Sequence, residues 1–149
     1  MKLFLIVLFL FLVITIAIIV YLKFYFNSLI YKDLDFMLKN IKNSISFAKV
    51  EKNEILSSLK KQVSNISRYT FNNIDSHLFY LKNFERYEIK KCFNSIGSGN
   101  VDYEINNIAY YEVYFHDKML LSKDKLSKDG VMYLKVLIGV GLAICIMLI

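Results

Sequence analysis

The side chains of this chain that could do chemistry are two histidines, His77 and His116, two cysteines, Cys92 and Cys145, and the Gly97-Ser98-Gly99 turn. A zinc site needs three or four ligands, usually with two brought onto one helix face by a spacing of three or four residues. Neither histidine has a second histidine or a cysteine at that spacing, so no metal site is read here. A nucleophile or general base needs a neighbouring group to activate or orient it, and no serine, histidine and acid arrangement and no catalytic pair of carboxylates stands out. Cys92 falls on an apolar stripe, where a thiol acts as a small hydrophobe. The glycine turn precedes a helix, as a phosphate cradle does. The Walker pattern, however, places Lys-Ser/Thr at the helix start, and here Asn100-Val101-Asp102 follows, so a plain interhelical turn is expected. The chain is therefore read as non-enzymatic, with no cofactor and no metal.

The elements that would carry these residues are dominated by two apolar runs. In residues 3–22 every side chain is apolar, aromatic or threonine, and residues 131–149 carry a single charge, Lys135. A helix of about 20 residues spans the roughly 30 Å hydrocarbon core of a bilayer. Residues 1–22 and 131–149 are thus expected to be transmembrane helices. A cleaved signal has an apolar region of only about 7–15 residues and a small-residue cleavage site. This first run is longer and leads into Tyr21, Lys23, Phe24 and Tyr25, which suit a retained anchor at the headgroup level. In the second run Gly139 and Ala143 share a face with Gly141 nearby, which makes all three candidates for close packing against another helix, most naturally the first span.

Between the runs, residues 23–130 hold all 13 acidic residues and 17 of the 19 Lys and Arg, a net of +4. Such a mild charge suits an anionic membrane face or an acidic protein partner and gives no reason to expect nucleic acid, which calls for a dense basic stripe. The chain contains no proline, so nothing forces a helix in this region to break. Ile30, Leu34, Leu38, Ile41 and Ile45 recur at helical steps, and the absence of proline and glycine upstream predicts that the first span runs straight on into this helix. Asn53 is placed to cap a second helix with Leu56, Leu59, Val63 and Ile66 on one face. Ile74, Leu78 and Leu81 make a short third stripe. A helix over 84–96 ends at Gly97. A longer helix follows from Asn100 with Val101, Ile105, Ile108, Phe115 and Met119 inward, its stripe broadened by Tyr110, Tyr111 and Tyr114. It is expected to break up over 118–129. The fold class is all-α: a helical bundle domain flanked by N- and C-terminal transmembrane helices.

Lys23 and Lys32 follow the first run, and Lys123, Lys125 and Lys128 precede the second, whereas only Lys2 lies before the first. Basic residues beside a span mark the cytoplasmic side, so a cytoplasmic middle domain is expected. Cys92 and Cys145 sit in different environments and are not expected to pair.

The order of these parts resembles the stage III sporulation protein AB family of endospore-forming bacteria over nearly the whole chain. Residues 84–108 are similar to a family segment in which one helix ends in Leu-Gly and the next begins at Ser-Asp with a glutamine four residues on. Here the same positions read Ile96-Gly97, Gly99-Asn100 and Glu104. Met132-Tyr133 followed by the glycine-bearing aliphatic run from Gly141 looks like the family's ending. The chain departs from the family where Val50-Glu51-Lys52 stand in place of Thr-Pro-Leu. The resemblance implies a helical domain like the cytoplasmic domain of type II secretion F proteins. It further implies a platform role in the channel joining mother cell and forespore, with the domain on the mother-cell side of the outer forespore membrane. Implied partners are a stage III sporulation protein AA-like ATPase, other membrane subunits of the channel, membrane lipid and possible further copies of the chain. On this reading the candidate partner contacts are Gly97, Ser98, Gly99, Asn100 and Glu104 at the turn, and Lys118, Lys123, Lys125 and Lys128 on the basic segment. An exposed turn and a solvated charge run are the plain alternatives. A structural scaffold of a pilus or secretion-like system, without an ATPase, is the other functional reading.

Overall fold

A computed structural model of the chain describes residues 2–47, 52–96 and 101–148. With no proline or glycine to interrupt it, α1 (Lys2–Phe47) is one helix of 46 residues, about 70 Å long at the α-helical rise. Its first half is apolar on every side and its second half is amphipathic, so the anchor and the domain helix are one rod. Short helices α2 (Lys52–Gln62), α3 (Asn65–Asn72) and α4 (Asn83–Ser95) follow. The chain then returns through α5 (Val101–Lys125), a π-helical turn (Leu126–Gly130) and α6 (Val131–Leu148), which together run antiparallel to α1. The described residues contain no β-strand.

The molecule is therefore a long helical hairpin with three short helices packed on one end, which we call the head. Ile30, Leu34, Leu38 and Ile41 are all fully buried, as their spacing predicts, and Tyr31 and Met37 are buried beside them. The buried face of α1 is wider than one stripe because α5 packs along one side while α2 and α3 pack along another. Ile89, Cys92 and Ile96 close the core from α4, and Ile108, Tyr111 and Phe115 from α5.

Three expectations about the head need correction. The apolar face of Leu56, Leu59, Val63 and Ile66 does not lie on one helix, because the chain turns at Val63-Ser64 and α3 starts afresh. Ser64 caps it: its Oγ accepts from the Ser67 N–H at 3.2 Å and donates to Asp33 Oδ2 at 2.6 Å. Arg68 then donates to the last carbonyls of α2, Lys60 at 2.8 Å and Lys61 at 2.7 Å. Side chains thus satisfy both helix ends left open by the turn. The stripe of Ile74, Leu78 and Leu81 is a series of turns held against α1 by the Asn27 amide, which donates to the Tyr80 carbonyl at 3.1 Å. Finally, residues 118–129 do not break the helix. A π-turn accommodates one extra residue, and the inward positions Ser122, Leu126, Gly130 and Leu134 step by fours through it. That shift keeps α5 and α6 in phase with α1.

Where the two apolar segments meet, small residues set the approach. A Cβ at Gly141 would lie 2.7 Å from Val13 Cγ1, whereas one at Gly139 would meet nothing within 4 Å. Gly141 makes the close contact with the first span, and Gly139 and Ala143, chosen by their spacing, face away from it. Gly130 lies against Phe24 more loosely, since a Cβ there would be 3.4 Å from Phe24 Cβ. The two contacts are eleven residues apart on both helices, three turns of each, so one face is kept throughout. Only 6% of the most apolar stretch of α1 and 17% of that in the returning helix is buried within the protein. Both helices are long and apolar enough to cross a membrane, and their apolar surface points outward rather than into a core.

Candidate functional site

The polar chemistry of the head gathers between helices distant in sequence. Asp35, nearly buried on α1, receives Lys39 Nζ at 2.7 Å on one carboxylate oxygen and His116 Nδ1 at 3.1 Å on the other. One helical turn further on, Lys42 bridges to Glu112 at 2.9 Å. Lys39, Lys42, Glu112 and His116 line a groove of about 360 Å³ between α1 and α5. Two of these contacts, His116 to Asp35 and Lys42 to Glu112, cross from α5 to α1 and hold register between the two long helices. His77 stands apart from them, exposed in the turns after α3.

Behind the groove lies a buried aromatic cluster with a thiol. Tyr31 stacks near Phe115 at 6.1 Å, and Phe115 near Tyr111 at 6.0 Å. Burial pushes the Tyr31 phenol above its ordinary range, and the Glu85 carboxylate, which accepts its hydrogen bond, raises it further. Burial likewise pushes the Cys92 thiol up to about 12, with Glu88 adding to the effect. A thiol so placed is held protonated and is a poor nucleophile.

The candidate contact residues fall partly within the described residues. Gly97, Ser98, Gly99 and Asn100 lie outside the described residues. Glu104 is half-buried near the start of α5. Lys118 lies over the Tyr114 ring with Nζ 5.4 Å from its centroid, while Lys128 pairs with Asp124 at 2.8 Å. Successive residues of an α-helix step by about 100°, which places Lys118 and Lys125 on one side and Lys123 on another.

No family model, curated protein or solved structure matches this chain. Among the described residues no group of three or more His, Cys, Asp or Glu is placed to hold a metal ion.

What the sequence reading missed is a cleft of about 270 Å³ at the foot of the head, where Lys23, Asn27, Lys82, Glu85, Ser122 and Lys125 converge. Its residues come from α1, α4 with the turn before it, and α5, so no local spacing could have drawn them together. The one available signal was a lysine near the inner border of each apolar segment, Lys23 after the first and Lys125 before the second. The reading also took Tyr110 as part of the inward stripe, but Tyr110 is exposed on the outer side of α5, as Tyr87 is on α4.

Proposed function

We propose that this protein is a non-catalytic membrane platform subunit of a secretion-like channel complex required for endospore formation, with the head docking a stage III sporulation protein AA-like ATPase on the cytoplasmic side. The observation that carries the reading is the continuity of the rods. Each apolar segment passes into the head without a flexible joint, α1 as one helix and α5 to α6 through a π-turn. A load placed on the head by a motor is then delivered directly to the membrane segments, which is what a platform must do. Exposed Tyr87, Tyr103 and Tyr110 add the kind of aromatic surface that protein partners favour. The order of parts, resembling the stage III sporulation protein AB family, supplies the biological setting.

Deletion of the gene tests the proposal: vegetative growth should continue while spore formation stops after engulfment. Normal sporulation in the deletion strain would remove the sporulation role. Failure of the full chain to co-purify with the ATPase would leave a structural scaffold in its place.

A further inference from the structure

We propose that the cleft at the foot of the head binds the phosphate of an anionic phospholipid. The inference rests on the two-span reading and goes beyond it, since it assigns a ligand site irrespective of any ATPase.

Three lysines line this one cleft: Lys23, where α1 leaves its apolar run, Lys82, just before α4, and Lys125, at the end of α5. None of the three forms an ion pair among the described residues. With Glu85 the only carboxylate among the lining residues, the three lysines leave the cleft a net positive charge of two, which an anion between them would balance. The carboxylate in the cleft, Glu85, is already engaged, because it accepts the Lys82 backbone N–H at 2.8 Å and the Tyr31 hydroxyl. Asn27 and Ser122 complete the polar lining, with the Asn27 amide used to hold the Tyr80 carbonyl.

The level of the cleft identifies the source of the anion. Phe24, on its wall, packs on Gly130 and stacks with Tyr133 at 6.1 Å, so the cleft opens where both apolar segments end. That is the headgroup level of a bilayer, where lysines meet lipid phosphates. The segment carrying Lys82 also presents Phe79, 50% exposed, and Phe84, 62% exposed. The Phe79 ring rests edge-on against Phe26 at 6.3 Å, which ties the segment to α1 one turn beyond the apolar boundary. Two bare phenylalanines beside a lysine suit an interface with acyl chains below and phosphates above, and a free phosphate in water would have no use for them.

The full chain, extracted in a mild non-ionic detergent, would be mixed with dioleoyl phosphatidylglycerol, dioleoyl phosphatidylcholine or inorganic phosphate, and bound lipid counted by native mass spectrometry. Phosphatidylglycerol should be retained in preference to phosphatidylcholine and resist displacement by inorganic phosphate. Each lysine replaced by glutamine should weaken retention about fivefold, and K23Q/K82Q/K125Q about a hundredfold. The charge-matched K60Q/K61Q/K91Q variant, altered away from the cleft, should retain lipid as the parent does. Equal retention of the two lipids, an unaffected cleft variant or an equally affected control variant would each overturn the site. Displacement by inorganic phosphate would overturn the lipid assignment. A protein that needs detergent for extraction yet shows no lipid preference sinks this site alone, whereas release by an alkaline wash without detergent sinks the two-span reading itself.

Discussion

Cys92 shows how far a buried position can change a reactive side chain. Its thiol, 1% exposed on the inner face of α4, is pushed up to about 12 from an ordinary 9.0. At pH 8 the thiolate fraction, and with it alkylation by iodoacetamide, should be lower in the folded chain than in the unfolded one by about two to three orders of magnitude. The linkage has a definite sign. A raised folded-state value means that the contribution to stability is complete below the unfolded value and falls as pH rises from about 9 toward about 12. The fall is about 1.4 kcal/mol per pH unit within that window. Chemical denaturation in detergent at pH 8 and at pH 10.5 should therefore show a steeper loss for the parent than for Cys92→Ala. Parallel losses would mean that Cys92 ionises freely in the fold. The sequence foretold this residue's place because it sits on a helical stripe. The Asp35–His116 pair was invisible to the same reading, since its members are 81 residues apart and meet only when α1 and α5 are laid side by side.

At the scale of elements, what could be read was periodicity, and what could not was the phase between helices. The unbroken α1, the inward faces of α1 and α4 and the all-α class follow from apolar spacing and from the lack of proline. The turn at Val63-Ser64 was hidden because its determinants, Asp33 and Arg68, act through hydrogen bonds that spacing does not reveal. The π-turn was hidden because charged residues around Lys125 resemble a loop, although their inward neighbours Ser122, Leu126 and Gly130 keep the helix packed. Phase also decides which small residue matters in the second apolar segment. In Gly141→Leu the new Cβ would press on Val13, whose β-branched side chain has one strongly preferred rotamer in a helix and cannot swing aside. Thermal unfolding in detergent should show Gly141→Leu destabilised by about 1–3 kcal/mol. Gly139→Leu, which meets open space, should stay within about 0.5 kcal/mol of the parent. Equal sensitivity at the two sites would place the first span on the wrong face of α6.

At the scale of the whole molecule, the hairpin makes both ends of the chain share one side of any membrane it crosses, with the head on the other. The proposed orientation, head on the cytoplasmic side, rests on the charge pattern. Lys23, Lys32, Lys123, Lys125 and Lys128 lie at the head's end of the apolar segments against Lys2 at the far end, and positive charge is retained on the cytoplasmic face. A probe for sidedness must sit where a reagent can reach it. Cys92 and Ser122 are buried, with the Ser122 hydroxyl donating to the Met119 carbonyl at 2.9 Å, so neither position serves. Lys123 is exposed on the outer side of α5. A chain carrying Lys123→Cys with Cys92→Ala and Cys145→Ala should be labelled by a membrane-impermeant maleimide only after the cells are permeabilised. Labelling of intact cells would put the head outside, where no cytoplasmic ATPase could reach it, and would turn the three-lysine cleft toward the opposite leaflet. Because both rods enter the head unbroken, that one measurement fixes the side of every contact surface on it, from the aromatic face of Tyr87 and Tyr110 to the foot beside Phe79 and Phe84.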